Sequence, residues 1–402
     1  AGFAFRGKLI IELQYLFLTT EVLGNKAVRE PLSLGDPQEV KYWIKNNTGK
    51  TFMFTLKDYL PFQLQMVGFL HRGKLRANEL LELKTIVTPM ERGEYIFDAL
   101  EIFLSTPFSF VERKMILVAE KEKAKVYPSQ IQMSKYSLAN VKNTQKYYGV
   151  KKVRRVGHSY EFDHIKSYVM GDDVRSINWK ATSRRNELMV NHYEDEKSQA
   201  VYCVIDKSRT MNMPFNGMSL VDYAVNASLV ICNNALQYQD RAGLITFSNV
   251  LGNVVPAAKS IKQLGAINEA LYHQKYRNTE ANYELLHYSI KKLTRKRGLF
   301  FLFSNFENMN ALKRQLPIIL RIAKQNLLVM VIFENYEVEE FTQRDHGRHL
   351  YENAVAHKYL YEKELMVKKL RSYGVRCIYT RPEDLTINTL NEYLYLKSTG
   401  RI

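Results

Sequence analysis

From residue 198 to residue 402 the chain alternates short, continuously apolar runs with longer stretches in which apolar residues recur every three or four positions. The runs fall at residues 201–205, 242–247, 299–303, 327–333 and 375–379. An apolar run of this length without polar alternation predicts a strand buried on both faces. The periodic stretches fall at 220–236, 261–271, 281–293, 312–323 and 351–373 and predict amphipathic helices. Strand and helix in alternation imply an α/β fold, a doubly wound and mostly parallel sheet covered on both faces. Ligands of such sheets bind beyond the carboxyl ends of the strands.

The pattern differs upstream. Residues 1–128 read as an all-β domain, because short runs rich in Tyr, Phe, Val, Ile and Thr alternate with polar residues, as at 39–45 and 81–87. Turn signals separate the runs: Gly35-Asp36-Pro37, Asn46-Asn47-Thr48-Gly49 and Arg92-Gly93. Strands at this spacing predict a β-sandwich, and no chemistry is visible in it. Residues 129–156 lose the alternation and are dominated by Ser, Asn, Gln, Lys and Tyr. In the stretch 146–155 half the positions are basic and none is acidic, which reads as a linker or exposed arm, or else as a surface for phosphates or lipid head groups.

Charge narrows the partners. With 58 Lys and Arg against 41 Asp and Glu over 402 residues, the formal net charge is +17. That excess suits an acidic partner such as nucleic acid, an anionic membrane face or an acidic protein, and a solvated basic surface accounts for it as well. Cys203, Cys232 and Cys377 lie far apart inside apolar runs, which is neither a disulfide framework nor zinc spacing, so each reads as a small buried hydrophobe in a reducing compartment. The apolar run at 9–23 is broken by Glu12, Gln14 and Glu21 and is too short to span a membrane. No signal peptide is visible, and the chain opens at Ala1 rather than Met, which leaves room for an upstream segment. Neither Gly-x-Gly-x-x-Gly nor Gly-x-x-x-x-Gly-Lys follows a strand, and there is no Gly-x-Ser-x-Gly elbow, so neither a nucleotide site nor a hydrolase nucleophile is indicated.

The candidate chemistry gathers after the first apolar run. Residues 201–205 deliver Asp206-Lys207-Ser208-Arg209-Thr210 to the carboxyl edge of the predicted sheet. One carboxylate and two hydroxyls at a strand end suit a hard cation, with positions left for water or a ligand. The competing reading is structural, since an Asp after a buried strand commonly caps the next turn. Ser304-Asn305 follows residues 299–303 and reaches the same edge, and Thr279 lies in a polar loop able to approach it. Upstream, Asp172-Asp173 follows Gly171 and reads as a turn rather than a catalytic pair. Trp179, Lys180 and Arg184-Arg185 could stack on and neutralise nucleic acid. The preferred reading is that Trp179 anchors its segment against the sheet and the cations are surface, so nucleic acid is not the expected partner. His158, His164 and His192 match no zinc spacing. The basic run 291–297 closes a predicted helix, where cations suit the helix dipole, and it could also face an anionic membrane.

The order of residues from Glu161 to Glu196 carries a resemblance. Glu161-Phe162-Asp163-His164-Ile165-Lys166 with Tyr168-Val169, then Gly171-Asp172-Asp173-Val174-Arg175, Ile177-Asn178-Trp179-Lys180-Ala181-Thr182, Glu187-Leu188-Met189-Val190 and Glu194-Asp195-Glu196, resembles the signature of the DUF58 family. Arg92-Gly93-Glu94-Tyr95 and Ser105-Thr106-Pro107-Phe108 are similar to the β-domain that precedes it. The resemblance implies a von Willebrand factor A-like domain after the signature, membrane association through a segment upstream of residue 1, and action beside a MoxR-type AAA+ ATPase in assembling or maturing other proteins. It implies no enzymatic activity. It also implies a metal ion-dependent adhesion site: Asp206, Ser208 and Thr210 as the Asp-x-Ser-x-Ser element with Thr in the last place, Thr279 from a second loop, and Asn305 where the third loop has Asp. Mg²⁺ or Mn²⁺ would be the ion, weakened by the charge lost at Asn305.

The reading is therefore a β-sandwich-like domain over 1–128, a basic linker and signature segment over 129–197, and a von Willebrand factor A-like α/β domain over 198–402. The expected function is that of a non-enzymatic interaction or adaptor module at the membrane, ion-dependent through Asp206, with the soluble part cytoplasmic. A metal-independent scaffold binding through the basic surface or the β-domain is the alternative, and a metal-assisted hydrolase a third.

Overall fold

A computed structural model describes residues 22–28, 32–64, 66, 68–97, 100–105, 112–118, 122–137, 160–169, 174–185, 187–195, 198–260, 262–294, 296–339 and 350–401. The chain divides into two compact units, one of residues 1–132 with 216–218 and 271–274, the other of residues 133–215, 219–270 and 275–402.

The first unit is β-sandwich-like. Its strands are β1 (Val22–Val28), β2 (Leu32–Ser33), β3 (Gln38–Asn46), β4 (Phe52–Asp58), β5 (Phe69–Leu75), β6 (Leu80–Val87), β7 (Gly93–Phe97), β8 (Leu100–Ser105), β9 (Glu112–Val118) and β10 (Glu122–Tyr127). They pair in the orders β1-β3-β6, β2-β10-β7 and β5-β4-β8-β9. The period-two pattern carries the core: Val40, Tyr42 and Ile44 of β3, Phe52, Phe54 and Leu56 of β4, and Leu100, Ile102 and Leu104 of β8 are all buried. Tyr42 ends its buried side chain on a hydroxyl that donates to Asp58 Oδ2 at 2.8 Å, so a polar tip inside the unit is satisfied. Burial and the Asp58 charge together push the Tyr42 hydroxyl far above its ordinary range.

A short helical turn (Gln130–Lys135) crosses from the first unit into the second, whose next described elements are an antiparallel pair, β11 (Tyr160–Ser167) and β12 (Met189–Asp195). Between them lies α1 (Trp179–Arg185). The basic stretch 146–155 and His158 lie outside the described residues, as do Gly171, Asp172 and Asp173. Asn178 starts α1: its Oδ1 accepts from Ala181 N at 3.0 Å and its Nδ2 donates to Asn191 Oδ1 at 2.8 Å. The Thr182 hydroxyl donates to Asn178 O at 2.9 Å and accepts from Met189 N at 3.0 Å. These bonds fasten α1 to β12, where Met189 and Val190 are buried. Trp179 is not the expected anchor, because its ring is 68% exposed. Asn178 and Thr182 hold the helix instead, leaving Trp179 at its first position to face outward, beside the exposed Lys180.

The rest of the second unit is a mixed α/β sheet. Strands β13 (Ala200–Asp206), β14 (Arg241–Phe247), β15 (Leu251–Ala258), β16 (Leu299–Phe303), β17 (Leu327–Phe333) and β18 (Arg376–Thr380) lie in the order β15-β14-β13-β16-β17-β18. All neighbours are parallel except β15, which runs antiparallel to β14. The helices are α2 (Leu220–Gln237), α3 (Gln263–Tyr272), α4 (Tyr283–Leu293), α5 (Met309–Gln325), α6 (Leu350–Ser372) and α7 (Leu385–Ser398). On one face Tyr202 and Val204 pack with Leu286 and Ile290 of α4, Leu312 and Ile319 of α5, and Met366 and Leu370 of α6. On the other, α2 packs against β13, β14 and α7. Cys203 and Cys232, distant in sequence, meet there with sulfurs 3.8 Å apart as buried free thiols. Cys377, expected to be buried, is only half-buried because β18 is the last strand of the sheet.

Candidate functional site

The order of strands places a reversal between β13 and β16. The chain leaves β13 for β14 on one side and later inserts β16 on the other, so the loops after β13 and β16 diverge and leave a crevice at the carboxyl ends. Asp206 is the last residue of β13 and Ser304-Asn305 follow β16 directly. The sequence thus sets these groups at the one edge where the fold opens.

Backbone bonds bring in the loop that carries Thr279. Arg209 N donates to Thr279 O at 3.0 Å and Arg277 N to Lys207 O at 2.7 Å, which lays the loop before α4 along the loop after β13. Asn282 caps α4 by accepting from Leu285 N at 3.0 Å. The outcome is a small open cleft of about 60 Å³ whose wall includes Asp206, Ser208, Thr210, Thr279 and Asn305. All five sequence-derived candidates therefore share one cleft. Exposed ion pairs flank it, Arg209 to Glu307 at 2.7 Å and Arg314 to Glu280 at 3.7 Å.

Asp206 is wholly buried and heavily bonded. Its Oδ1 accepts from Ser208 N at 2.8 Å, an Asx turn, and its Oδ2 accepts from Ser304 Oγ at 2.6 Å. Ser304 Oγ lies 2.6 Å from the Tyr283 hydroxyl. Since Ser304 gives its proton to Asp206, Tyr283 donates to Ser304, and a relay runs from Tyr283 to the carboxylate. Burial pushes the Asp206 carboxyl up to about 6, against the pull of the Ser304 and Ser208 bonds. The structural reading of Asp206 is thus realised, and the group still reaches the cleft. Ser208 Oγ and Thr210 Oγ1 are 3.0 Å apart, and Thr279 Oγ1 donates to Asn249 Oδ1 at 3.2 Å.

Asn305 is where the candidate cation set departs from the expectation. Its Oδ1 receives the Lys363 ammonium at 2.5 Å and Phe306 N at 3.0 Å. Both partners are donors only, so they fix which end of the amide is oxygen. The Nδ2 end then points to Thr210 O at 3.4 Å. A hard divalent ion wants several oxygens and gains affinity from their charge. The cleft offers a single carboxylate, already accepting on both oxygens, with the Ser208 and Thr210 hydroxyls, and the third-loop oxygen is turned away. Among the described residues no three His, Cys, Asp or Glu side chains group as a metal centre. The residues thus supply only part of what a divalent ion asks for.

Lys363 escaped sequence reasoning. It sits between Glu362 and Glu364 and reads as part of a solvated face. The available signal was spacing, because Tyr359, Lys363, Met366, Val367 and Leu370 lie three or four apart on the stripe of α6 that faces the core. The side chain is 1% exposed. Its ammonium also bonds the Phe306 carbonyl and lies 5.1 Å from the Tyr359 ring centre. Burial lowers its pKa to about 7, with Glu307 opposing.

The described signature residues are not among those lining the cleft. Glu161 and Asp163 lie in β11, Arg175 in the turn Val174–Ser176, and Trp179 and Lys180 in α1. In the register of β11 and β12, Glu161 lies opposite Glu194 and His164 opposite His192, with a bulge at Asp163.

No curated protein matches the chain. Among solved structures it is similar to the CARDB domain of the PF1109 protein from Pyrococcus furiosus, at 13% identity and a TM-score of 0.22, over 28% of this chain and 96% of that one. It is similar also to the conserved hypothetical protein BatB from Bacteroides thetaiotaomicron, at 11% identity and a TM-score of 0.36, over 50% of this chain and 100% of that one. Residues 164–339, which run from β11 past the end of β17 and include every cleft-lining candidate, match the family described as "Protein of unknown function DUF58".

Proposed function

We propose that this chain is a non-enzymatic protein-interaction module whose α/β unit is of the von Willebrand factor A type and binds its partner at the Asp206 cleft. The observation that carries the reading is the convergence of Asp206, Ser208, Thr210, Thr279 and Asn305 on one cleft at the point where the strand order reverses. A mostly parallel sheet with Asp-x-Ser-x-Thr after a central strand fits the A-type reading. In this proposal the partner is a protein, taken from the family resemblance to be a MoxR-type AAA+ ATPase, and the chain acts as an adaptor in protein assembly or maturation. It works at the cytoplasmic face of a membrane. Among the described residues no helix is long and apolar enough to cross one. Two versions of the binding step differ in the ion. In one, Mg²⁺ or Mn²⁺ bridges the cleft to a partner carboxylate. In the other, the chain is a metal-independent scaffold, and the turned-away Asn305 oxygen favours this version.

The test is affinity of the full chain for a purified MoxR-type ATPase from the same genome, with Asp206→Ala and Ser208→Ala as variants. Each is expected to weaken binding at least ~10-fold, equivalent to about 1.4 kcal/mol, while circular dichroism stays native. A folded Asp206→Ala protein that binds as well as the parent would sink the proposal. The metal-independent version further expects that adding a chelator leaves the parent's affinity unchanged.

A further inference from the structure

We propose that Lys363 is the residue that sets the ion preference of this cleft: by holding the Asn305 oxygen and the Phe306 carbonyl, its ammonium acts as a resident cation for the third loop and keeps a divalent ion from assembling there. The inference rests on the cleft being the partner site, and it concerns a residue outside the stretch 164–339 that matches the family.

Three observations carry it. First, the geometry is committed. Lys363 Nζ lies 2.5 Å from Asn305 Oδ1 and bonds the Phe306 carbonyl, and it lies over the Tyr359 ring at 5.1 Å from its centre. A buried ammonium has to satisfy its donors, and here two carbonyl oxygens and a ring face do so. Second, the consequence for Asn305 is forced. Lys363 and Phe306 N donate to the same oxygen, so a flipped amide would bring an NH₂ group against two donors. The end of residue 305 that points to Thr210 O is therefore Nδ2, and an NH₂ group offers a cation no oxygen. Third, the arrangement is a coupled pair rather than a lone substitution. An Asp at 305 would find Lys363 already beside it and form a buried ion pair, so restoring the charge at 305 alone leaves that charge neutralised. Lys363 and Asn305 are matched to each other in a way that makes the third loop complete without metal.

The experiment is calorimetric titration of Mg²⁺ and of Mn²⁺ into the full chain and into three variants: Asn305→Asp, Lys363→Met and the double variant. Thermal melts confirm that each is folded. Should Lys363→Met fail to fold, Lys363→Gln replaces it in both proteins, since Gln keeps one donor for the loop carbonyls and removes the charge. The parent and Asn305→Asp are expected to show no saturable binding at low millimolar ion. The double variant is expected to bind at least ~10-fold more tightly than Asn305→Asp, because two facing carboxylates without a resident cation meet the charge requirement of a hard ion. Saturable binding by the parent would overturn the proposal. So would equal affinity in Asn305→Asp and the double variant, or no binding in any of them, since Lys363 would then not be what decides. The titration needs no partner protein. Failure of the cleft as partner site shows instead as normal ATPase binding by Asp206→Ala, so the two outcomes are read separately.

Discussion

Asp206 and Lys363 are buried ionisable residues at the same strand edge, and their costs run in opposite directions with pH. Asp206 is pushed from 3.8 to about 6, so its proton is held more tightly in the folded chain than in the unfolded one. Its penalty is absent below pH 3.8, grows as pH rises, and is complete above about 6. Lys363 is lowered from 10.5 to about 7, so its penalty is complete below 7 and is relieved as pH rises toward 10.5. Between pH 6 and 7 both groups weigh fully on the fold. A residue that keeps the bonds of Asp206 without its charge should relieve one of them. Asn at 206 accepts from Ser208 N and donates to Ser304. We expect Asp206→Asn to stabilise the chain by roughly 1–3 kcal/mol at pH 7.5 and by little at pH 4, measured by urea denaturation at both values. Equal stability of the two proteins at pH 7.5 would show that the buried carboxylate carries no cost. A group kept at the expense of stability is the kind found at working sites.

At the scale of elements, the sequence was legible where one signal dominated. Five continuous apolar runs became β13, β14, β16, β17 and β18, since a strand covered on both faces has no polar side to show. Around that sheet two elements were not read. β15 carries Asn253 and Pro256 and is only partly covered, with the burial of an edge, so its pattern resembles a loop. α7 buries Leu385, Leu390, Tyr393, Leu394 and Leu396 around much of its circumference, which leaves no clean stripe to count. In the cleft, Asp206, Ser208 and Asn305 could be placed because each follows an apolar run. Lys363 could not, because its partner Asn305 is remote in sequence and its flanking Glu residues mask it. What holds α7 was equally hidden. Asp240, fully buried, accepts from Gln199 N at 3.0 Å, from the Tyr393 hydroxyl at 2.7 Å and from Lys397 Nζ at 2.6 Å. Asp240→Ala strands three donors, and we expect it to cost about 3 kcal/mol, with amides of α7 losing hydrogen-exchange protection before the rest of the sheet. Uniform loss of protection would mean that α7 is held by its apolar contacts alone.

At the scale of the whole molecule, an open sheet has two free margins. β18 spans Arg376–Thr380, and Arg376 is paired with Glu392 at 3.0 Å, so that margin is short and charged. β15 is longer, and it is the margin where a second chain would add a strand. Pro256 lies in β15, where pairing with β14 is interrupted between Ala242 and Leu244. A proline offers no N–H to a newcomer, and an interrupted ladder twists the margin away from flatness. The Pro256 carbonyl is itself taken by Gln263 Nε2 at 2.8 Å. A strand adding at Pro256 would therefore meet a missing donor and an acceptor already in use. Replacing Pro256 by Val should leave the fold intact and produce concentration-dependent growth of particle size in light scattering. A variant that stays monodisperse would show that the margin is guarded elsewhere. On this reading Pro256 acts as a guard against runaway polymerisation along the longer margin of the sheet.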